Sequence, residues 1–146
     1  MIYTQSRSQN VFNRLYVNIS NIAWSVLVMA MASTIWHVER LNIEIYIGLA
    51  LLAPLLITLW LLLFNSGSSK VTEYGFSIDD DGFTFIRYGE KQHINWANYE
   101  GYKLTRSVPK YVEIKNNQGQ NISFSFYTFS SEQRNLLFET LNNKSR

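Results

Sequence analysis

The sequence predicts a membrane α-helical hairpin joined to a small β domain, and three observations lead to this fold class. Two long runs in the first half carry no charge, a short Ser- and Gly-containing segment follows them, and the remainder alternates apolar and polar residues at strand spacing. Only three charged residues, Glu39, Arg40 and Glu44, lie between positions 15 and 64. The 146 residues therefore divide into an N-terminal tail (1–14), a transmembrane hairpin (15–64), a linker (65–70) and a soluble domain (71–146).

The two uncharged runs, 15–36 and 45–64, have the length of membrane-spanning helices. At 1.5 Å rise per residue each extends roughly 30 to 33 Å, which matches a hydrocarbon core. The short segment between them predicts an antiparallel pair, with Asn21 at the depth of Thr58 and a hydrogen bond between these side chains. The alternative places Asn18 and Asn21 in the headgroup region. Pro54 predicts a kink in the second helix.

The positions of Lys and Arg predict which way the hairpin faces. Arg7 and Arg14 precede the first run and Lys70 follows the second, whereas the connecting loop contains only Arg40. By the positive-inside tendency, both termini face the cytoplasm. An alternative interpretation is a cleaved signal peptide, with Ala30-Met31-Ala32 as the cleavage site, although polar residues interrupt its apolar region.

The segment from 71 to 146 predicts a barrel or sandwich of about six strands with a C-terminal helix. Asp81-Gly82 predicts a hairpin turn in which glycine adopts positive φ, and Ser130 to Gln133 form a capping-box pattern that opens a helix. Leu137 and Leu141 share one face of that helix. The strands are predicted at 71–78, 83–88, 92–96, 99–106, 111–115 and 121–126.

Three short motifs carry a resemblance to a known family. They are Phe76-Ser77-Ile78 before the Asp-Gly turn, Ile94-x-Trp96-x-x-Tyr99-x-Gly101, and Phe129-Ser130-Ser131-Glu132. With two apolar helices ahead of them, they resemble the YcxB-like family of bacterial membrane proteins. The resemblance implies a pleckstrin-homology-like (PH-like) soluble domain and a location in the bacterial inner membrane. The chain departs from the family at 124–127, where Phe-Ser-Phe-Tyr replaces an apolar-Pro-basic run.

Composition and spacing argue against catalytic chemistry. The chain has no cysteine, which excludes disulfides and thiolate sites, and its net charge of +2 gives no field suited to nucleic acid. The three carboxylates at 79–81 lack the further oxygen ligands of a calcium loop and predict a solvated hairpin tip. His37 with Glu39 and Glu44 is a weak metal candidate, and His93 is predicted on an exposed face. We expect no enzyme activity, no metal and no cofactor.

The basic residues around Pro109 are the one candidate binding set. Lys103, Arg106, Lys110 and Lys115 suggest contact with an anionic surface, although solvation of exposed strand faces is the favoured explanation. The predicted function is a membrane-anchored adaptor, held in the lipid bilayer, whose β domain recognises a protein partner at a strand edge or groove. The alternatives are a membrane immunity or inhibitor protein acting against a toxin, and weak binding of anionic lipid headgroups.

Overall fold

The computed structural model describes residues 2–35, 43–64 and 72–144, and over these it contains three α-helices and seven β-strands. Two short 3₁₀ turns, Trp96–Asn98 and Phe126–Thr128, follow strands. The helices are α1 (Arg7–Ile35), α2 (Ile43–Phe64) and α3 (Ser131–Lys144). The strands are β1 (Ile2–Thr4), β2 (Tyr74–Ile78), β3 (Gly82–Arg87), β4 (Glu90–Asn95), β5 (Tyr99–Leu104), β6 (Tyr111–Asn116) and β7 (Ile122–Ser125).

The strands form two antiparallel sheets. One sheet has the order β1-β2-β3-β4 and the other has the order β5-β6-β7. The six strands predicted between 71 and 126 each have an observed counterpart in β2 to β7, and the predicted C-terminal helix is α3. Strand β1 was not predicted, and it pairs with β2 through Tyr3 opposite Phe76. Residues before the helices therefore complete a sheet of the β domain.

Five phenylalanines pack together in the core between the sheets and α3. Phe85 stacks on Phe124 with ring centroids 4.9 Å apart, and Phe129 meets Phe76 edge-on at 4.8 Å. Such pairs are worth about 0.5–1.5 kcal/mol beyond the area that they bury. The buried apolar side chains of this core are Phe76, Phe83, Phe85, Ile94, Val112, Ile114, Ile122, Phe124, Phe129, Leu137 and Leu141.

Two glycines shape the hairpins of the first sheet for different reasons. Tyr88 and Gly89 both have positive φ, at 50° and 84°, and they form the two-residue connection between β3 and β4. Gly82 does not have positive φ, so the prediction for the Asp-Gly turn is wrong on this point. Gly82 is needed because a Cβ there would lie 2.2 Å from the carbonyl oxygen of Ile94 on β4.

The predicted membrane hairpin is wrong. Within 2–35, 43–64 and 72–144, no helix combines the length and the apolar character needed to cross a membrane. The first 15 residues of α1 include two arginines and four asparagines. The predictions of a transmembrane protein and of a multi-pass location in the inner membrane are therefore also wrong.

The helices α1 and α2 nevertheless pack against each other. Pro54 and Thr58, one turn apart, are the buried positions of α2 between residues 51 and 64, so their side of the helix faces α1. The predicted hydrogen bond between Asn21 and Thr58 is not formed, because the buried Thr58 hydroxyl has no partner among the described residues. The predicted loop with His37, Glu39 and Arg40 and the predicted linker with Lys70 lie outside the described residues.

Candidate functional site

A buried ion pair attaches α1 to the start of β2. The Arg14 guanidinium contacts the Glu73 carboxylate through Nη2 and Oε2, and Arg14 Nε donates to Asn10 Oδ1 at 2.6 Å. The Arg14 and Glu73 side chains are only 15% and 7% exposed, so the two charges lie largely out of water and compensate each other. Asn10 and Asn13 are buried on the same part of α1. Arg14, which we interpreted as a topology signal, is therefore a residue that holds two parts of the fold together.

Two further contacts connect α1 to the loop between β5 and β6. The backbone N–H of Lys110 donates to the Tyr16 hydroxyl at 2.9 Å, and Trp24 Nε1 donates to the Val108 carbonyl at 2.8 Å. Tyr16 also meets the Tyr127 ring edge-on at 4.6 Å. Because these contacts are spread over residues 14 to 24 of α1, more than two turns of the helix are fixed against the β domain.

Beyond these contacts, α1 and α2 present large apolar side chains to solvent. Trp60 is 61% exposed, Phe64 67% and Leu63 74%, values typical of surface rather than core positions. A surface patch of this kind on a folded protein marks a site of interaction. We call it the apolar surface, and it consists of Trp24, Leu27, Val28, Met29 and Met31 on α1 with Leu51, Leu52, Leu55, Leu56, Ile57, Leu59, Trp60, Leu63 and Phe64 on α2.

A groove between α1 and α2 runs into the apolar surface. Its volume is about 370 Å³, at the lower end of the range for small-molecule sites. The lining residues carry no ionisable group, and on α1 they recur at the three- and four-residue spacing of one helix face. They are Ile19, Ile22, Ala23, Val26 and Leu27 on α1 with Ile47 and Leu51 on α2.

A second, polar cleft lies where the first turns of α1 and α3 approach each other. Both helices begin with the same capping box: Ser6 with Gln9 and Ser130 with Gln133 exchange side-chain and backbone hydrogen bonds. The cleft has a volume of about 380 Å³. It is lined by Ser8, Gln9, Phe12, Tyr127, Phe129, Ser130, Ser131 and Arg134.

Arg134, the one charged group lining this cleft, is held by the protein itself. Its Nη1 donates to the Phe129 carbonyl at 2.6 Å, and its guanidinium lies over the Phe126 ring at 4.4 Å and the Tyr127 ring at 5.5 Å. Burial lowers the pKa of Arg134 from its usual value. The guanidinium thus joins the end of β7 to α3, and this structural role accounts for its position.

The four basic residues predicted as a binding set lie on β5, on β6 and in the loop between these strands. Lys103 on β5 lies directly opposite Glu113 on β6, and Lys115 lies two residues beyond Glu113 on the same face of the sheet. The Glu113 carboxylate therefore lies between the two lysines. The Lys110 ammonium makes a cation–π contact, with its Nζ 4.3 Å above the Phe126 ring. Arg106 is exposed in the loop that follows β5.

The other predicted polar candidates lie at the β2–β3 tip, on β4 and near the start of α2. Asp79, Asp80 and Asp81 are exposed at the β2–β3 tip. His93 is exposed on β4, as predicted, where its Nδ1 shares a hydrogen bond with the Thr84 hydroxyl at 2.9 Å. Glu44 is exposed near the start of α2. Over the part of the chain that the structure describes, no three His, Cys, Asp or Glu side chains come together in a group that could hold a metal ion.

Two tyrosines of the β domain have raised pKa values. Burial raises the pKa of Tyr99 to about 12, and its hydroxyl donates to the Leu141 carbonyl at 3.2 Å, joining β5 to α3. Burial, together with a hydrogen bond to Tyr88, raises the pKa of Tyr74 to about 12. Both phenols are therefore protonated, structural groups at neutral pH, and neither is activated for proton transfer.

Comparison with known proteins identifies no relative: no family model, no curated protein and no solved structure matches this chain. The similarity to the YcxB-like family therefore stays a prediction from the motifs quoted above.

Proposed function

We propose that this chain is a binding protein without catalytic activity. The exposed apolar side chains of its α1–α2 pair contact an apolar region of another protein. The observation that carries the proposal is the apolar surface itself. Fully burying one Leu, Ile or Phe side chain is worth about 1.5–3 kcal/mol, and several of these side chains are more than half exposed. A partner that covered even part of this surface would gain enough to offset the entropy lost on association.

The attachment of α1 to the β domain supports the same function. The Arg14–Glu73 pair and the hydrogen bonds of Tyr16 and Trp24 hold the first half of α1 in place, so the surface is presented from a fixed base. Preorganisation of this kind lowers the ordering cost of binding. The β domain therefore serves as the scaffold, and its partner-facing element is the helical pair rather than a strand edge.

Headgroup binding by the basic residues has less support. The Glu113 carboxylate between Lys103 and Lys115 weakens their attraction for an anion, and the Lys110 ammonium is engaged over the Phe126 ring. Glutamate substitutions at Lys103 and Lys115 are therefore expected to leave binding of the protein partner unchanged. Loss of the partner in this variant would favour a charged interface over an apolar one.

Site-specific photo-crosslinking in the source cells tests the proposal. A photoreactive phenylalanine analogue at Leu56, within the apolar surface, is expected to give one discrete protein adduct identified by mass spectrometry. The same analogue at Leu136, 37% exposed on α3, is the matched control and is expected to give none. Equal adducts from both positions, or none from Leu56, would contradict the proposal. The captured protein separates the two protein-binding roles, since a toxin would indicate an immunity protein and another partner an adaptor.

A further inference from the structure

We draw no further inference here: the strongest candidate, the apolar groove between α1 and α2 lined by Ile19, Ile22, Ala23, Leu27 and Leu51, belongs to the surface already described, and nothing in the structure shows what covers it.

Discussion

The β domain and the α1–α2 pair are both rich in large apolar residues, yet they use them in opposite ways. In the β domain, Phe76, Phe85 and Phe124 are between 0% and 4% exposed because two sheets and a helix enclose them. In α2, most side chains between residues 51 and 64 are exposed, and the buried positions, Pro54 and Thr58, lie on the side that faces α1. Stability is therefore concentrated in one region and binding potential in the other.

The largest expected effect comes from truncating the aromatic core. Phe85 is 1% exposed and packs on both Phe124 and Phe129, so Phe85→Ala leaves a cavity and should lower the free energy of unfolding by about 3–5 kcal/mol. Urea unfolding followed by circular dichroism measures this loss. The matched change in the other region is Leu56→Ala, at a side chain 55% exposed. It should shift the free energy of unfolding by no more than about 0.5 kcal/mol. Similar losses from the two variants would contradict the division between the regions.

The next largest effect on stability is expected at the Arg14–Glu73 ion pair, which joins α1 to the β domain. Glu73→Gln leaves the Arg14 guanidinium buried without a countercharge, and it should cost about 3 kcal/mol of unfolding free energy. Because two apolar side chains can pack where a buried pair lay, the double variant Arg14→Met/Glu73→Met should be more stable than the single one. A single variant as stable as the parent would show that the pair contributes nothing to the attachment of α1. Thermal unfolding of the three chains measures the difference.

Two glycine substitutions should have opposite signs in the two regions. Gly82→Ala places a Cβ 2.2 Å from the Ile94 carbonyl oxygen, and relieving that clash should cost about 1–3 kcal/mol. Gly48 lies in α2, and a Cβ there would meet no atom within 4 Å. Gly48→Ala should therefore stabilise the chain by up to about 1 kcal/mol through helix propensity. Chemical denaturation of both variants measures the signs, and a stabilising Gly82→Ala would contradict the close approach of β3 and β4.

The buried phenols of Tyr74 and Tyr99 are expected to have the smallest effect on stability at neutral pH and a larger effect in alkali. Folding raises the pKa of Tyr74 and of Tyr99 from 10 to about 12, so the folded state holds these protons more tightly than the unfolded state. Their contribution to stability is complete below pH 10 and is lost as the pH rises from 10 to 12. Urea unfolding at a series of pH values should show this decline. Tyr99→Phe should make the decline shallower, and an unchanged slope would exclude Tyr99 as its source.

The β domain was largely predictable because its signals are local. Alternation of apolar residues located β2 and β4 to β7, and the Asp81-Gly82 turn located the start of β3. The capping box of Ser130 and Gln133 located the start of α3. Leu137 and Leu141, predicted to share one face of the C-terminal helix, are both buried in the core. The positions of Phe83 and Phe85 were not predicted individually, because β3 is buried along nearly its whole length and shows no alternation.

The attachment of the helices was not predictable in the same way, because it depends on contacts between residues distant in sequence. Arg14 and Glu73 are 59 positions apart, and Trp24 and Val108 are 84 apart. One local signal was available but was not used. Asn10, Asn13 and Arg14 recur at the three- and four-residue spacing of one helix face, which indicates a polar contact face rather than a lipid-facing one.

The pairing of β1 with β2 has a mechanical consequence. The Gln5 N–H donates to the Tyr74 carbonyl, and Thr4 lies opposite Gly75, so both covalent connections to the helical pair leave the first sheet side by side. The helices are thus an insertion at the tip of a β-hairpin. A force that pulls the two helices away from the sheet would load the hydrogen bonds between β1 and β2 one at a time. A force along the strands would load these hydrogen bonds together. Because the Arg14–Glu73 ion pair joins α1 to the residue directly before β2, this pair would also have to break before α1 could be pulled away from β2.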